Sequence, residues 1–207
     1  MTWHQLGNQV HQYQSVFLIY APGRCGSTSI SNNPEFEPVA HIQNFQPALG
    51  TPDTIYLITR EPEARLISAL YQMYCKLYTG IGDWSVRIQN CEAYLDHDPV
   101  GRIHDWGLPQ YIPGTDRVHI QNYISDLKHL SATWELNTVW VDLSEKDRLM
   151  QKYQIPDVDR HGVPDNNRSD YYNFRTALKQ SPGWCAWQSY ITPEQLEWNS
   201  VVGRAFA

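Results

Sequence analysis

No run of 18 consecutive apolar residues occurs in the 207-residue chain, so no segment has the length a membrane-crossing helix needs. The opening Met1-Thr2-Trp3-His4-Gln5 lacks the basic start and apolar middle of a signal peptide, and the expectation is a cytoplasmic protein without stable membrane insertion. Positive charge is sparse and scattered. Sixteen Lys and Arg against 22 Asp and Glu leave a net charge of −6, which disfavours nucleic acid as a ligand but accommodates one phosphate pocket. The four cysteines, Cys25, Cys75, Cys91 and Cys185, form no CxxC pair, so neither a zinc site nor a disulfide framework is expected. Internal repeats, low-complexity tracts and a GxxxxGK[ST] nucleotide loop are also missing.

What is present is an alternation of strand and helix patterns over a length suited to a single domain, residues 1–207. The apolar run Val16-Phe17-Leu18-Ile19 reads as a buried strand feeding a glycine-bearing turn that opens a helix. The stretch 32–38 ends that helix early. A short second strand is expected at 39–45, and a central strand at Thr54-Ile-Tyr-Leu-Ile-Thr59. Pro62 suits the first turn of the following helix, where Leu66, Ala69, Leu70, Met73 and Leu77 form a core stripe with Arg65 and Ser68 on a different side. Further expectations are a helix at 84–95, a strand at 117–123, a helix at 124–130 and a last strand at 138–143. A helix capped by Ser144 then runs to Tyr153, a polar loop spans 162–170, and terminal helices cover 171–178 and 193–202, the second capped by Thr192. The class is α/β: a P-loop-like three-layer fold with a mostly parallel central sheet flanked by helices.

Two segments carry chemistry. In Tyr20-Ala-Pro-Gly-Arg-Cys-Gly-Ser-Thr-Ser-Ile30, Gly23 and Gly26 let the chain bend around an oxyanion, and main-chain N–H groups face outward at the helix start. Ser27, Thr28 and Ser29 add hydroxyl donors, and Arg24 can fork onto the same oxygens. In Arg60-Glu-Pro-Glu-Ala-Arg-Leu-Ile-Ser-Ala-Leu-Tyr71, Arg60 and Ser68 can hold a second phosphate some distance from the first. Arg65 can equally form a routine surface ion pair with Glu61 or Glu63.

These residues resemble the sulfotransferases that use 3′-phosphoadenylyl sulfate (PAPS), the carbohydrate-modifying branch more than the cytosolic one. In that family the first loop binds the 5′-phosphate and sulfuryl end, matched here by Arg24, Cys25, Gly26, Ser27 and Thr28. The second family pattern, Arg-x-Pro-x-x-Arg-x-x-Ser-x-x-Tyr, is matched by Arg60, Pro62, Arg65, Ser68 and Tyr71, with Arg60 and Ser68 at the places of the 3′-phosphate ligands. The likeness is firm over 16–78, weaker at 104–110 and faint at 166–172, where Asn167, Arg168 and Ser169 correspond to a loop that closes over the nucleotide. Many members have lysine where this chain has Arg24. Arginine keeps the charge but is a poorer proton donor, which suits support of a departing phosphate rather than general-acid catalysis.

The resemblance implies direct in-line transfer of a sulfuryl group from PAPS to an acceptor hydroxyl on a glycan or small molecule, releasing adenosine 3′,5′-bisphosphate (PAP) and needing no metal. His41 is the first choice for the base, because imidazole titrates at about 6.5 and accepts a proton near neutrality. Glu35 and Glu37 are the runners-up. His104 and Trp106 lie in the aromatic stretch 80–115, read as an acceptor-side insertion. Two other functions compete: a small-molecule kinase with a degenerate P-loop, and an inactive nucleotide- or glycan-binding domain.

Overall fold

Phe17-Leu18-Ile19-Tyr20 and Ile55-Tyr56-Leu57-Ile58 are apolar at every position, and strands of that kind need cover on both faces. The computed structural model describes residues 10–39, 52–71, 88, 89, 91, 123–132, 134–156 and 166–202, with side chains from Ser169 onward in the last segment. Its strands are β1 (Val10–Tyr13), β2 (Phe17–Tyr20), β3 (Phe36–Pro38), β4 (Thr54–Thr59) and β5 (Asn137–Asp142). The helices are α1 (Ser27–Ser31), α2 (Pro62–Tyr71), α3 (Tyr123–Ala132), α4 (Lys146–Lys152), α5 (Asn166–Lys179) and α6 (Pro182–Val201).

The sheet order is β3-β1-β2-β4-β5, with β2, β4 and β5 mutually parallel and β1 antiparallel to both of its neighbours. Four of the five strands therefore run the same way. Alternate side chains go to opposite faces, as strand geometry requires. Leu18, Tyr20, Ile55 and Leu57 pack with Ile124, Leu127 and Leu130 of α3, whereas Phe17, Ile19, Tyr56 and Ile58 pack with Ile30 of α1 and Leu149 and Met150 of α4. A third apolar cluster contains no strand: Leu66 and Leu70 of α2 meet Phe174, Leu178, Trp184 and Trp187 of α5 and α6. Among the described residues, no helix is long and apolar enough to cross a membrane.

Several sequence expectations are corrected. A strand that was not expected, β3, forms at Phe36–Pro38, where its pairing to β1 holds it; the strand expected at 39–45 lies, apart from Val39, outside the described residues. Tyr123, expected to end a strand, opens α3, while 117–122 also lie outside. Of the 80–115 stretch, only 88, 89 and 91 are described, and they are helical. Residues 166–170 form the first turns of α5 rather than a loop, because Phe174 and Leu178 anchor the helix and propagation through its polar start is then favourable. Asp142, not Ser144, caps the turn before α4, its Oδ1 accepting from the Ser144 N–H at 2.6 Å.

The largest correction concerns α6, which continues through Pro193 instead of starting there. Burial of Trp184, Trp187 and Ile191 on one side of the proline and Glu194 on the other outweighs the missing hydrogen bond. Glu194 Oε2 accepts from the Ile124 N–H at 2.8 Å, capping α3 from a distant part of the chain. One turn later, Trp198 Nε1 donates to Thr59 Oγ1 at 3.1 Å and ties α6 to the end of β4. Replacing Glu194 with alanine is expected to lower stability by about 1–2 kcal/mol, and with glutamine by less, because the amide oxygen still accepts. Denaturant unfolding of both variants checks this ranking.

Candidate anion-binding site

Because β2 and β4 are parallel neighbours, the chain leaves both at the same edge of the sheet, and this brings the loop after Tyr20 alongside Arg60 and Glu61. The loop is a tight turn in which the Cys25 N–H donates to the Pro22 carbonyl at 3.0 Å. Arg24 at φ 69° and Gly26 at φ 85° are both left-handed. Glycine adopts this conformation readily; for arginine it costs about 1–2 kcal/mol and persists only if the surroundings hold it.

Arg65 supplies that hold. It is 1% exposed, so it is not the surface ion pair that was one expectation, and its Nε donates to the Gly23 carbonyl at 3.1 Å. Its guanidinium carbon lies 4.3 Å from the centre of the Tyr123 ring. The Tyr123 hydroxyl is 3.3 Å from Cys25 Sγ. The loop, α2 and α3 are thereby joined through Arg65, Cys25 and Tyr123.

In front of this support, Arg24 Nε and Nη2 both donate to Ser68 Oγ, at 3.2 and 3.1 Å. The two anion-binding segments, expected some distance apart, are in direct contact. Ser68 is buried, and accepting twice from Arg24 leaves its own O–H as a polarised donor. Arg60 is half-buried at the end of β4. Ser27 is half-buried and Thr28 exposed, as outward-facing donors should be. Ser29 is a correction: its hydroxyl donates to the Gly26 carbonyl at 2.9 Å and accepts from Lys146 Nζ at 2.8 Å, so it braces the turn and faces inward. Lys146 was not singled out from the sequence. The one faint signal for it is its position just past the end of β5, the same sheet edge.

Burial pushes the Cys25 thiol up, while Arg65, Arg60 and Arg24 pull it down, so three guanidinium groups act on one buried sulfur. Burial also raises the hydroxyls of Tyr20 and Tyr123. The Tyr20 hydroxyl has no hydrogen-bond partner among the described residues.

The base candidates fare differently. Glu35 precedes β3 at the edge where β2 begins, since Phe36 pairs with Tyr13 and Tyr13 with Phe17; α1 has carried the chain back across the sheet. It is exposed at the edge opposite the loop and is removed from the site. Glu37 is exposed on β3, which β1 separates from β2. His41, His104 and Trp106 lie outside the described residues, as do the side chains of Asn167 and Arg168 in the first turn of α5; Ser169 is exposed. No family model, curated protein or solved structure matches the chain.

The three raised groups set an alkaline limit on stability. Each holds its proton more tightly folded than unfolded, so its contribution is intact at neutral pH and declines as the unfolded chain deprotonates, from about pH 9 for the thiol upward. Melting temperature is expected to fall above that pH. Y20F, which removes an unpartnered buried hydroxyl, should leave neutral-pH stability unchanged or higher and make the alkaline decline shallower.

Proposed function

We propose that this chain is a sulfotransferase that moves a sulfuryl group from PAPS to a hydroxyl acceptor. One contact supports the proposal: Arg24 donates to Ser68 and so joins the loop after β2 to the helix after β4, which we read as two walls of a single cationic cleft. A P-loop-like arrangement is part of the same proposal, supported by a glycine turn between β2 and α1 at the carboxyl edge of parallel strands.

The donor set suits a nucleotide with two phosphate ends. Arg60 and the Ser68 hydroxyl take the 3′-phosphate, and Arg24 with the outward main-chain N–H groups of the turn takes the 5′ end. Arg65 is a support rather than a ligand, because it is buried behind the turn and engaged with Gly23 and Tyr123. When bound, PAPS supplies an activated sulfur: the acceptor oxygen forms the new S–O bond as the S–O bond to the 5′-phosphate breaks, and PAP leaves. Arg24 neutralises the charge that develops on the departing phosphate. The acceptor proton passes to a base, for which His41 is the candidate the chemistry favours.

Calorimetric titration with adenosine 3′,5′-bisphosphate and adenosine 5′-phosphate tests the proposal. The bisphosphate is expected to bind more tightly, and R60A should weaken it by about 10- to 100-fold while leaving the monophosphate nearly unchanged. Equal affinity of the wild type for the two nucleotides contradicts the transferase and leaves the kinase or binding-domain alternatives.

A further inference from the structure

We propose that Lys146 is a positioning residue for the 5′-phosphate end of the site, an assignment that rests on the sulfotransferase reading above. Lys146 is the first residue of α4, whose Leu149 and Met150 pack on the sheet face opposite to the one that Tyr123 of α3 covers. It is 6% exposed, with Asp147 Oδ1 at 3.9 Å and Ser29 Oγ at 2.8 Å from its ammonium. Its stem packs on the turn, Cδ lying 3.8 Å from where a Cβ on Gly26 would stand.

Lys146 acts through Ser29. By donating to Ser29 Oγ, the ammonium takes up the acceptor side of that hydroxyl and leaves its proton for the Gly26 carbonyl, 2.9 Å away. The Gly26 carbonyl and the Ser27 N–H belong to one planar trans peptide and point in opposite directions. Fixing the carbonyl inward therefore fixes the Ser27 N–H outward, toward a ligand held by the loop. The ammonium also adds a fourth positive charge beside the turn.

Lys146 touches the first loop, so its loss should weaken any nucleotide with a 5′-phosphate by the same factor, whether or not a 3′-phosphate is present. K146Q is expected to weaken adenosine 5′-phosphate and adenosine 3′,5′-bisphosphate equally, by about tenfold, in calorimetric titration. K146R, which keeps the charge and a donor, should restore both to within about threefold of the wild type. R60A in the same series should affect the bisphosphate alone. Unchanged affinity of K146Q for the two nucleotides overturns the assignment, and so does a loss confined to the bisphosphate. If K146Q does not fold, S29A decides: it cuts the relay alone and should weaken both nucleotides several-fold, and unchanged affinity is contrary. Equal wild-type affinity for the two nucleotides removes the transferase while a K146Q loss on the monophosphate still upholds Lys146. A wild type that binds neither removes both.

Discussion

The arrangement depends on one buried cation. Arg65 grips the Gly23 carbonyl from behind and lies over the Tyr123 ring, and it does so from within the helix that carries Ser68. A loop with two left-handed residues would otherwise relax toward commoner conformations. Held in this way, the turn presents Arg24 to Ser68, and the ends of β2 and β4 become one surface. Burying a guanidinium is unfavourable unless its donors are met, so Arg65 and the turn constrain each other: the turn supplies the carbonyl, and the guanidinium keeps the turn in shape.

Around that centre the fold adds supports from distant parts of the chain. Lys146 and Leu143 pack on Gly26 from the β5 side, and Cys25 and Tyr123 close the other. α6 reaches across to cap α3 through Glu194 and to hold β4 through Trp198. The candidate residues thus gather where three parallel strands end and where α6 ties α3 to β4.

The parts of this plan that were legible in the sequence are those with a strong local pattern. β2 and β4 are continuous apolar runs, α2 pairs Pro62 with a three-and-four apolar spacing, and Gly26 marks one bend of the first turn, although the other left-handed position is taken by Arg24 and not by Gly23. β1 was missed because Val10-His11-Gln12-Tyr13 is half polar and becomes a strand through pairing on both sides. Pro193 was misread as a helix start because local propensity cannot show that Trp187 and Glu194 are both buried. Burial hid the roles of Arg65 and Lys146 in the same way: each reads in sequence as one more surface charge, and each is enclosed only once the elements pack. Glu35 was drawn toward the site by its nearness in sequence to the loop, whereas α1 carries the chain to the opposite sheet edge before that residue is reached.

A double-mutant cycle between Arg24 and Ser68, read by calorimetric affinity for adenosine 3′,5′-bisphosphate, tests most directly whether the two segments form one site. If they do, R24A and S68A are non-additive, with a coupling of about 1 kcal/mol or more between them. Strict additivity would mean that the two side chains serve separate places, and the single-cleft account would fail.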